Sequence, residues 1–267
     1  MARKGTGKQE PRRNQEPLPP PLPPEARTVG QVVAEAVRLY GRRFWPSLAL
    51  GAPIGLLGLL LLTLDGATQT LVGIAAGWVV LTLSYVGASV LVAGRPVERR
   101  RLLTAAAVGL LVFLPFPVLL YFYVLPAVAW LALFGLAVPA ATIEGGGVGK
   151  SLRRGYALAR ADYVHSLGSM ATLAIAFYLS SRVMAVALNA GSGQAAEIAR
   201  PIAEGVLWPI VVLGAGLLYF DQAARLESGR PRSRRRRDAD VHHAVDPHRA
   251  RRADAEGEPR PAARGEP

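Results

Sequence analysis

The chain has 267 residues, of which 51% are hydrophobic and 19% are charged, and its formal net charge is +12. Most of the charge lies at the two ends, because residues 1–43 and 221–267 hold 34 of the 50 Asp, Glu, Lys and Arg residues. The middle therefore carries far less charge than the roughly one quarter that is typical of a soluble domain. This argues against a soluble enzyme core and indicates a polytopic membrane protein. The absence of cysteine excludes a disulfide framework, a thiol nucleophile and Cys-ligated metals.

Both ends of the chain have the composition of tails. Residues 1–27 carry six prolines among positions 17–24, and we expect them to be disordered, with local polyproline II structure. Residues 228–267 are interpreted in the same way, although they contain four consecutive arginines at 234–237. Such a run is typical of a solvated tail or of a contact with anionic lipid headgroups. Nucleic-acid binding is disfavoured because no aromatic residues are interleaved with the arginines.

The first helix expected in chain order is amphipathic and precedes the membrane spans. Thr28 and Gln31 fit a capping box that marks its start. Arg42 and Arg43 follow at the expected membrane edge. We expect this helix to lie in the headgroup plane, with docking against another protein as the alternative. Its apolar residues recur at helical spacing: Val29, Val32, Val33, Ala36, Val37 and Tyr40.

The middle of the chain supplies six segments that are long and apolar enough to cross a hydrocarbon core of about 30 Å. The third and fourth come from an uncharged stretch, Leu102 to Thr142, which we interpret as a helical hairpin turning near residues 117–123. Pro201 is expected in the first turn of the last span, and Pro209 is expected to kink that span. The predicted fold class is an all-α polytopic bundle over residues 28–227. The predicted spans are residues 44–64, 70–93, 102–120, 123–142, 166–188 and 202–220.

Small residues are frequent in the first two spans. Gly51 and Gly55, like Gly73 and Gly77, have the G-x-x-x-G spacing that lets two helices approach closely. Packing within the chain is the default interpretation. A homo-oligomer is the alternative.

The distribution of Lys and Arg predicts the orientation. With an intracellular N-terminus and six spans, 29 Lys and Arg residues fall on the cytoplasmic side and only Arg182 and Arg200 fall outside. This requires an even number of spans between successive basic segments, which supports two helices in the 102–142 stretch. We therefore expect a multi-pass protein of the cell membrane with both termini in the cytoplasm.

A second basic amphipathic helix is expected at about residues 148–163. Leu152, Tyr156 and Ala159 are predicted to form its apolar face. Like the first amphipathic helix, it adjoins a span on the cytoplasmic side, and headgroup contact is again the favoured interpretation over docking to a protein. The candidate headgroup contacts are the basic residues of the two helices: Lys150, Arg153, Arg154, Arg160, Arg42 and Arg43.

Motifs that would carry chemistry are incomplete. Residues 144–151 resemble a phosphate-binding P-loop, but Glu144 stands where its first glycine belongs and a membrane span precedes it instead of a strand. Three of the four histidines lie in the C-terminal tail, and His165 lies at a membrane edge. We therefore predict no catalytic, cofactor or metal site. Arg182 and Glu204 are the ionisable residues inside the spans, and Arg182 is interpreted as an interfacial anchor or as a partner of Glu197, Glu204 or a headgroup.

Three segments carry a family resemblance: RTVGQVVAEAVRLYGRRFWP from Arg27, VPAATIEGGGVGKSLRRGYALARADYVHSLG from Val138, and LLYFDQAARLESG from Leu217. The chain resembles bacterial six-span proteins grouped with the membrane domain of glycerophosphoryl diester phosphodiesterase. The motif residues are Glu144 with Gly145, and Tyr219 with Asp221. In this family an arginine commonly follows the aspartate closely, whereas here Gln222, Ala223 and Ala224 separate Asp221 from Arg225. The resemblance implies a six-span fold and no activity, since hydrolysis in such phosphodiesterases belongs to a separate TIM-barrel domain.

Two functional hypotheses follow from the sequence. The first is a non-enzymatic membrane module that organises or anchors partners, or contacts lipid through its basic helices. The alternative is a small permease or transporter, which requires a polar cavity lined from several spans. The side chains available for such a cavity are Ser84, Tyr85, Ser89, Ser180, Ser181 and Asn189.

Overall fold

A computed structural model describes residues 27–116, 118–119, 123–188 and 193–228. The expected tails apart from Arg27 and Ser228, positions 117 and 120–122 of the expected turn, and the candidate residue Asn189 lie outside these ranges. Within them every regular element is a helix, which confirms the all-α class. In chain order the helices are α1 (Val29–Arg42), α2 (Phe44–Leu61), α3 (Gly66–Ala93), α4 (Arg99–Phe113), α5 (Val124–Phe134), α6 (Ala137–Ile143), α7 (Val148–Ala161), α8 (Tyr163–Leu188) and α9 (Gly193–Ser228).

Five helical segments in the described part of the chain are long and apolar enough to cross a membrane. They correspond to the first, second, fourth, fifth and sixth predicted spans. The third predicted span, residues 102–120, coincides with α4, which has 15 residues and ends at Phe113. At a rise of about 1.5 Å per residue, α4 alone is shorter than the hydrocarbon core. The five segments are Phe44–Leu61, Gly66–Ala93, Val124–Ile143, Tyr163–Ala187 and Glu197–Glu227.

Helix α4 runs antiparallel to the α5–α6 segment, as the hairpin interpretation requires. Near one end, Trp130 Nε1 donates to Val112 O at 2.8 Å. Near the other end, Arg101 Nη1 donates to Ile143 O at 3.1 Å. The chain therefore reverses direction between Phe113 and Val124.

Helix α9 is central to the bundle and packs against α1, α2, α3 and α8. It runs parallel to α3, because Trp208 Nε1 donates to Ser84 Oγ at 3.0 Å and Gly216 lies beside Val92 further along both helices. Leu213 of α9 is fully buried in the apolar core. With 36 residues, α9 is longer than the span predicted for residues 202–220.

Pro201 lies inside α9 and not in its first turn, so that prediction is wrong. The helix begins at Gly193 and continues through both Pro201 and Pro209. A proline removes one helical hydrogen bond, and neighbouring helices compensate for this in membrane proteins. Here α2 packs on the proline-containing stretch, since a Cβ added to Gly58 would lie 2.8 Å from Pro201 Cβ.

The first G-x-x-x-G pair places α2 directly against α9. A Cβ added to Gly51 would overlap the carbonyl oxygen of Gly205, and one added to Gly55 would lie 3.1 Å from Pro201 O. Gly73 faces the side chain of Leu61 instead, at an ordinary contact distance of 3.4 Å. Packing within the chain is therefore confirmed as the role of the first pair.

Helix α1 begins with the predicted capping box, in which Thr28 N donates to Gln31 Oε1 at 2.8 Å. Its apolar face packs on the bundle, since Val32 and Ala36 are buried and α1 contacts α8 and α9. Burial raises the pKa of Tyr40, so its hydroxyl stays protonated and donates to Val206 O at 3.1 Å. The protein thus covers part of the apolar face of α1, whereas Val37 on that face is 48% exposed.

The predicted apolar face of α7 is confirmed at Ala159 and in part at Leu152, but not at Tyr156. Its buried residues are Ser151, Gly155, Leu158 and Ala159, whereas Tyr156 is 38% exposed. A Cβ on Gly155 would overlap the backbone of Ala137 in α6. The face with the smallest side chains can approach α6 most closely, so it forms the contact, and a pattern of large apolar residues does not reveal it.

Both described ends of the chain lie at the same end of the bundle, because Arg225 Nη2 donates to Arg27 O at 2.9 Å. Contacts among the end of α6 and the starts of α4, α7 and α8 place these segments there as well. We call this region the basic end. It comprises Arg27, Arg95, residues 99–101, residues 150–154 and Arg225.

Candidate functional site

Three of the six predicted headgroup residues line one groove at the basic end. Lys150, Arg153 and Arg154 of α7 surround a groove of about 560 Å³ together with Glu144. The three residues are spaced i, i+3 and i+4 along α7, so one helical face presents them. The structure therefore brings half of the predicted set together.

The other three predicted residues lie apart from this groove. The Arg160 guanidinium carbon lies 5.6 Å from the centre of the Tyr156 ring, in a cation–π contact. Both residues line a separate groove of about 410 Å³. Arg42 and Arg43 are exposed at the junction between α1 and α2. These three residues are available to solvent or lipid, but they do not belong to the Lys150 groove.

Glu144 connects three helices at the floor of the groove. Its Oε1 accepts hydrogen bonds from the Tyr219 hydroxyl at 2.6 Å and from Arg154 Nε at 2.7 Å. Arg154 is thus compensated by an acid. Within the described part of the chain, no acidic side chain pairs with Lys150 or Arg153, so the groove keeps a positive charge.

The glycines that resemble a P-loop form a defined turn instead. Gly145 and Gly146 have φ values of +75° and +114°, a region that favours glycine because it has no Cβ. The turn reverses the chain from α6 into α7. Together with the two contacts of Glu144, this assigns residues 144–147 a structural role in joining helices.

A buried ionic network lies between α8 and α9. Asp221 is fully buried, and its Oδ2 lies 2.6 Å from His165 Nε2 and 3.2 Å from Arg225 Nε. Arg225 Nη1 also contacts Asp162 Oδ2 at 3.0 Å. One guanidinium therefore holds two carboxylates and the backbone of Arg27.

The network fixes the corner between α7 and α8. Asp162 caps the start of α8, because its Oδ1 accepts from His165 N at 3.1 Å. Its backbone oxygen accepts from Gln222 Nε2 at 3.2 Å. Among the described residues, no group of three or more His, Asp and Glu side chains has an arrangement that could hold a metal ion.

The hydroxyls proposed for a transport cavity are largely bonded to helix carbonyls. Ser84 Oγ donates to Leu50 O, Ser89 Oγ to Tyr85 O and Ser181 Oγ to Tyr178 O, at 2.8–3.0 Å. Ser180 is exposed. The hydroxyl of Tyr85 is buried and has no hydrogen-bond partner within the described ranges.

At the opposite end of the bundle, the partners of Arg182 and Glu204 differ. The Arg182 guanidinium carbon lies 5.1 Å from the centre of the Tyr178 ring. Glu204 pairs instead with Arg200, one helical turn earlier, at 2.8 Å. This ion pair lines a groove of about 450 Å³ between α9 and the α2–α3 connection.

Sequence reasoning missed the network as a unit. Asp162 and Arg225 had no apolar pattern to mark them, and His165 was placed only at a membrane edge. Asp221 and Tyr219 were noted through the family resemblance alone. One sequence feature could have indicated the network. Four ionisable residues lie at the start of one predicted span and the end of the next, which an antiparallel pair places at the same depth: Asp162, His165, Asp221 and Arg225.

Comparison with known proteins adds no assignment. No protein-family model, no curated protein and no solved structure matches the chain.

Replacing Tyr219 with phenylalanine is expected to lower the free energy of unfolding by about 1.5–3 kcal/mol, the range for hydrogen bonds to charged groups. The loss follows because Glu144 keeps only Arg154 as a partner. Unfolding in mixed micelles with increasing SDS, followed by tryptophan fluorescence, measures the change. Tyr123→Phe is the control, since Tyr123 is 73% exposed. Equal midpoints for the two variants would contradict the prediction.

Proposed function

We propose that the chain is an integral membrane module without a catalytic site of its own, which anchors or organises partners and contacts anionic lipids through its basic end. The observation that carries this proposal is the groove on α7, where Lys150 and Arg153 have no acidic partner in the described part of the chain. Each basic residue near an anionic membrane surface contributes about 1 kcal/mol of attraction. Two such residues on one rigid helix therefore favour anionic lipids.

The basic end is assigned to the cytoplasmic side of the cell membrane. Support comes from the excess of Lys and Arg in the segments at that end, which is the signature of cytoplasmic loops. The contact of Arg225 with Arg27 O supports an even number of crossings. Because five segments are long enough to cross, an even number requires one further crossing, which we assign to the third predicted span, residues 102–120.

Membership of the family related to the membrane domain of glycerophosphoryl diester phosphodiesterase belongs to the same proposal. Two of the motif residues that carry the resemblance, Glu144 and Tyr219, are hydrogen-bonded although they are 75 positions apart. A pair of motif residues in contact is what a shared fold requires. The permease hypothesis draws less support, because Ser84, Ser89 and Ser181 donate to helix carbonyls.

Replacing Lys150 and Arg153 together with glutamine is expected to reduce the preference for anionic lipid several-fold. The full chain is extracted from bilayers of phosphatidylcholine and phosphatidylglycerol, and the lipids that it retains are counted by native mass spectrometry. The wild type should retain phosphatidylglycerol preferentially. The control replaces Arg182 and Arg200 with glutamine, which removes the same charge from the opposite end.

Two results would overturn the proposal. One is a wild-type chain that shows no preference for phosphatidylglycerol, or a Lys150 and Arg153 variant that keeps the wild-type preference. The other is a reporter fused to the C-terminus that reads out on the external side of the membrane.

A further inference from the structure

Two arginine side chains converge on a single backbone oxygen at the basic end. Arg95 Nη2 donates to Ile143 O at 2.9 Å, and Arg101 Nη1 donates to the same oxygen at 3.1 Å. The two guanidinium groups are therefore close neighbours, although each carries a full positive charge. A neutral carbonyl orients both groups but does not neutralise them.

The acids near this pair do not neutralise it either. Glu98 lies 3.8 Å from Arg101 Nε, and its side chain is 75% exposed, so this ion pair contributes little. The carboxylate oxygen of Glu144 that bonds to Arg154 and Tyr219 is already occupied by those two donors. The Arg95 and Arg101 pair thus has an excess of positive charge and unused N–H donors.

A groove opens beside Arg101. Its volume is about 310 Å³, and it is lined by Glu98, Arg100, Arg101, Thr104, Gly146 and Gly147. Gly146 and Gly147 form a glycine wall of this groove. An anionic ligand in this groove would meet Arg100 and Arg101, while Glu98 is 75% exposed and the Thr104 hydroxyl donates to Arg100 O at 3.0 Å.

The turn that forms the glycine wall fits tightly between basic side chains. A Cβ added to Gly145 would lie 3.1 Å from Arg101 Nε, and one added to Gly146 would lie 3.0 Å from Lys150 Cδ. Arg101 and the stem of Lys150 therefore border the same turn.

We propose that this groove binds a phosphate group, held by Arg100 and Arg101 of its lining, with the Arg95 guanidinium adding positive charge beside Arg101. A tetrahedral oxyanion carries several acceptor oxygens and more than one negative charge, and the planar fork of a guanidinium matches two of these oxygens. The phosphate group belongs to a lipid headgroup or to a soluble phosphate. Lys150 borders the same turn, but the variants that test this site leave Lys150 and Arg153 unchanged, so its failure is distinguishable from a failure of the lipid preference proposed above.

A purely structural role for the two arginines makes a different prediction. Both side chains cap a carbonyl at the C-terminus of α6, an arrangement that stabilises helix ends. If this were their whole role, substitution would lower stability by the same amount whether or not phosphate is present. The test therefore measures how stability depends on phosphate, and not stability alone.

The experiment follows thermal unfolding of the full chain in a neutral detergent as inorganic phosphate is titrated against chloride at matched ionic strength. The wild type should show a saturable rise in Tm with phosphate and none with chloride, since a ligand that binds only the folded state stabilises it. Replacing Arg95 and Arg101 with glutamine should raise the apparent Kd for phosphate by about tenfold or more. The matched control replaces Arg38 and Arg99, two arginines outside the groove, with glutamine and should keep the wild-type Kd.

The conservative variant Arg101→Lys keeps the test decisive if the double variant does not fold. It retains the charge but loses the planar fork, so it should bind phosphate several-fold more weakly than the wild type does. A second titration with soluble dihexanoyl phosphatidic acid identifies the source of the phosphate group. Tighter binding of this lipid than of inorganic phosphate indicates a headgroup, whereas equal binding indicates a soluble phosphate.

Two results would overturn the inference. The first is a wild-type Tm that rises no more with phosphate than with chloride. The second is an unchanged phosphate response in the Arg95 and Arg101 double variant or, where only that protein folds, in Arg101→Lys.

Discussion

Replacing Arg225 with methionine is expected to lower the free energy of unfolding by about 3–5 kcal/mol, the range observed when one partner of a buried ion pair is removed. Asp221 is 1% exposed at its side chain and would keep only the imidazole of His165 beside its Oδ2. Asp162 would lose the same guanidinium, and Arg27 O would lose its donor. The corner between α7 and α8 should loosen along with the start of α1.

Helix α9 offers a matched control for this prediction. Arg200 and Glu204 form an ion pair with the same spacing of four residues, but their side chains are 59% and 30% exposed. Arg200→Met should change the free energy of unfolding by about 0–1 kcal/mol. A second substitution, Asp221→Asn, should recover part of the loss in the Arg225→Met background, because it removes the buried charge.

The measurement is SDS-induced unfolding in mixed micelles, followed by the fluorescence of the four tryptophans. Similar midpoints for Arg225→Met and Arg200→Met would show that burial does not strengthen the Arg225 interactions. Additive effects of Arg225→Met and Asp221→Asn would show that the two side chains do not act together.

Replacing Gly51 with alanine is expected to destabilise the chain by about 1–3 kcal/mol, the typical effect of overpacking a close contact. The added methyl group would overlap Gly205 O and lie 2.8 Å from Pro209 Cδ, so α2 and α9 must separate. Backbone atoms cannot move aside as a flexible side chain can. The gain in helix propensity from glycine to alanine, up to about 1 kcal/mol, offsets only part of this loss.

The control for Gly51 is the second G-x-x-x-G pair. Gly73→Ala places its methyl group 3.4 Å from a terminal carbon of Leu61, which is an ordinary contact with a movable group. Its effect on the SDS midpoint should be neutral or slightly stabilising. Equal destabilisation by Gly51→Ala and Gly73→Ala would show that the α2–α9 distance does not depend on Gly51.

The helices were predictable where the local signal was strong. Long apolar segments and the Thr28–Gln31 capping box predicted most of the elements, because these features depend on nearby residues alone. The start of α9 was not predictable, since Pro201 looks like a first-turn residue in isolation. Its tolerance inside the helix depends on packing against Gly58, which lies more than 140 positions earlier in the chain.

The candidate site was predictable only in part. The basic residues of α7 were identified from charge and periodicity, but their grouping with Glu144 depends on a turn with positive φ at Gly145 and Gly146. The buried face of α7 was predicted one step away from its true position, because small residues such as Gly155 make the closest contact. The network around Asp221 requires two helices to be brought level, and no local pattern contains that information.

The contact between Arg225 and Arg27 O joins the start of α1 to the end of α9. These two helix ends therefore lie within one local volume at the basic end. A partner that binds both meets the second at an effective concentration that is on the order of millimolar for short connections. Two individually weak contacts then act as one bivalent attachment, and separating the two ends would abolish this avidity without changing either of them.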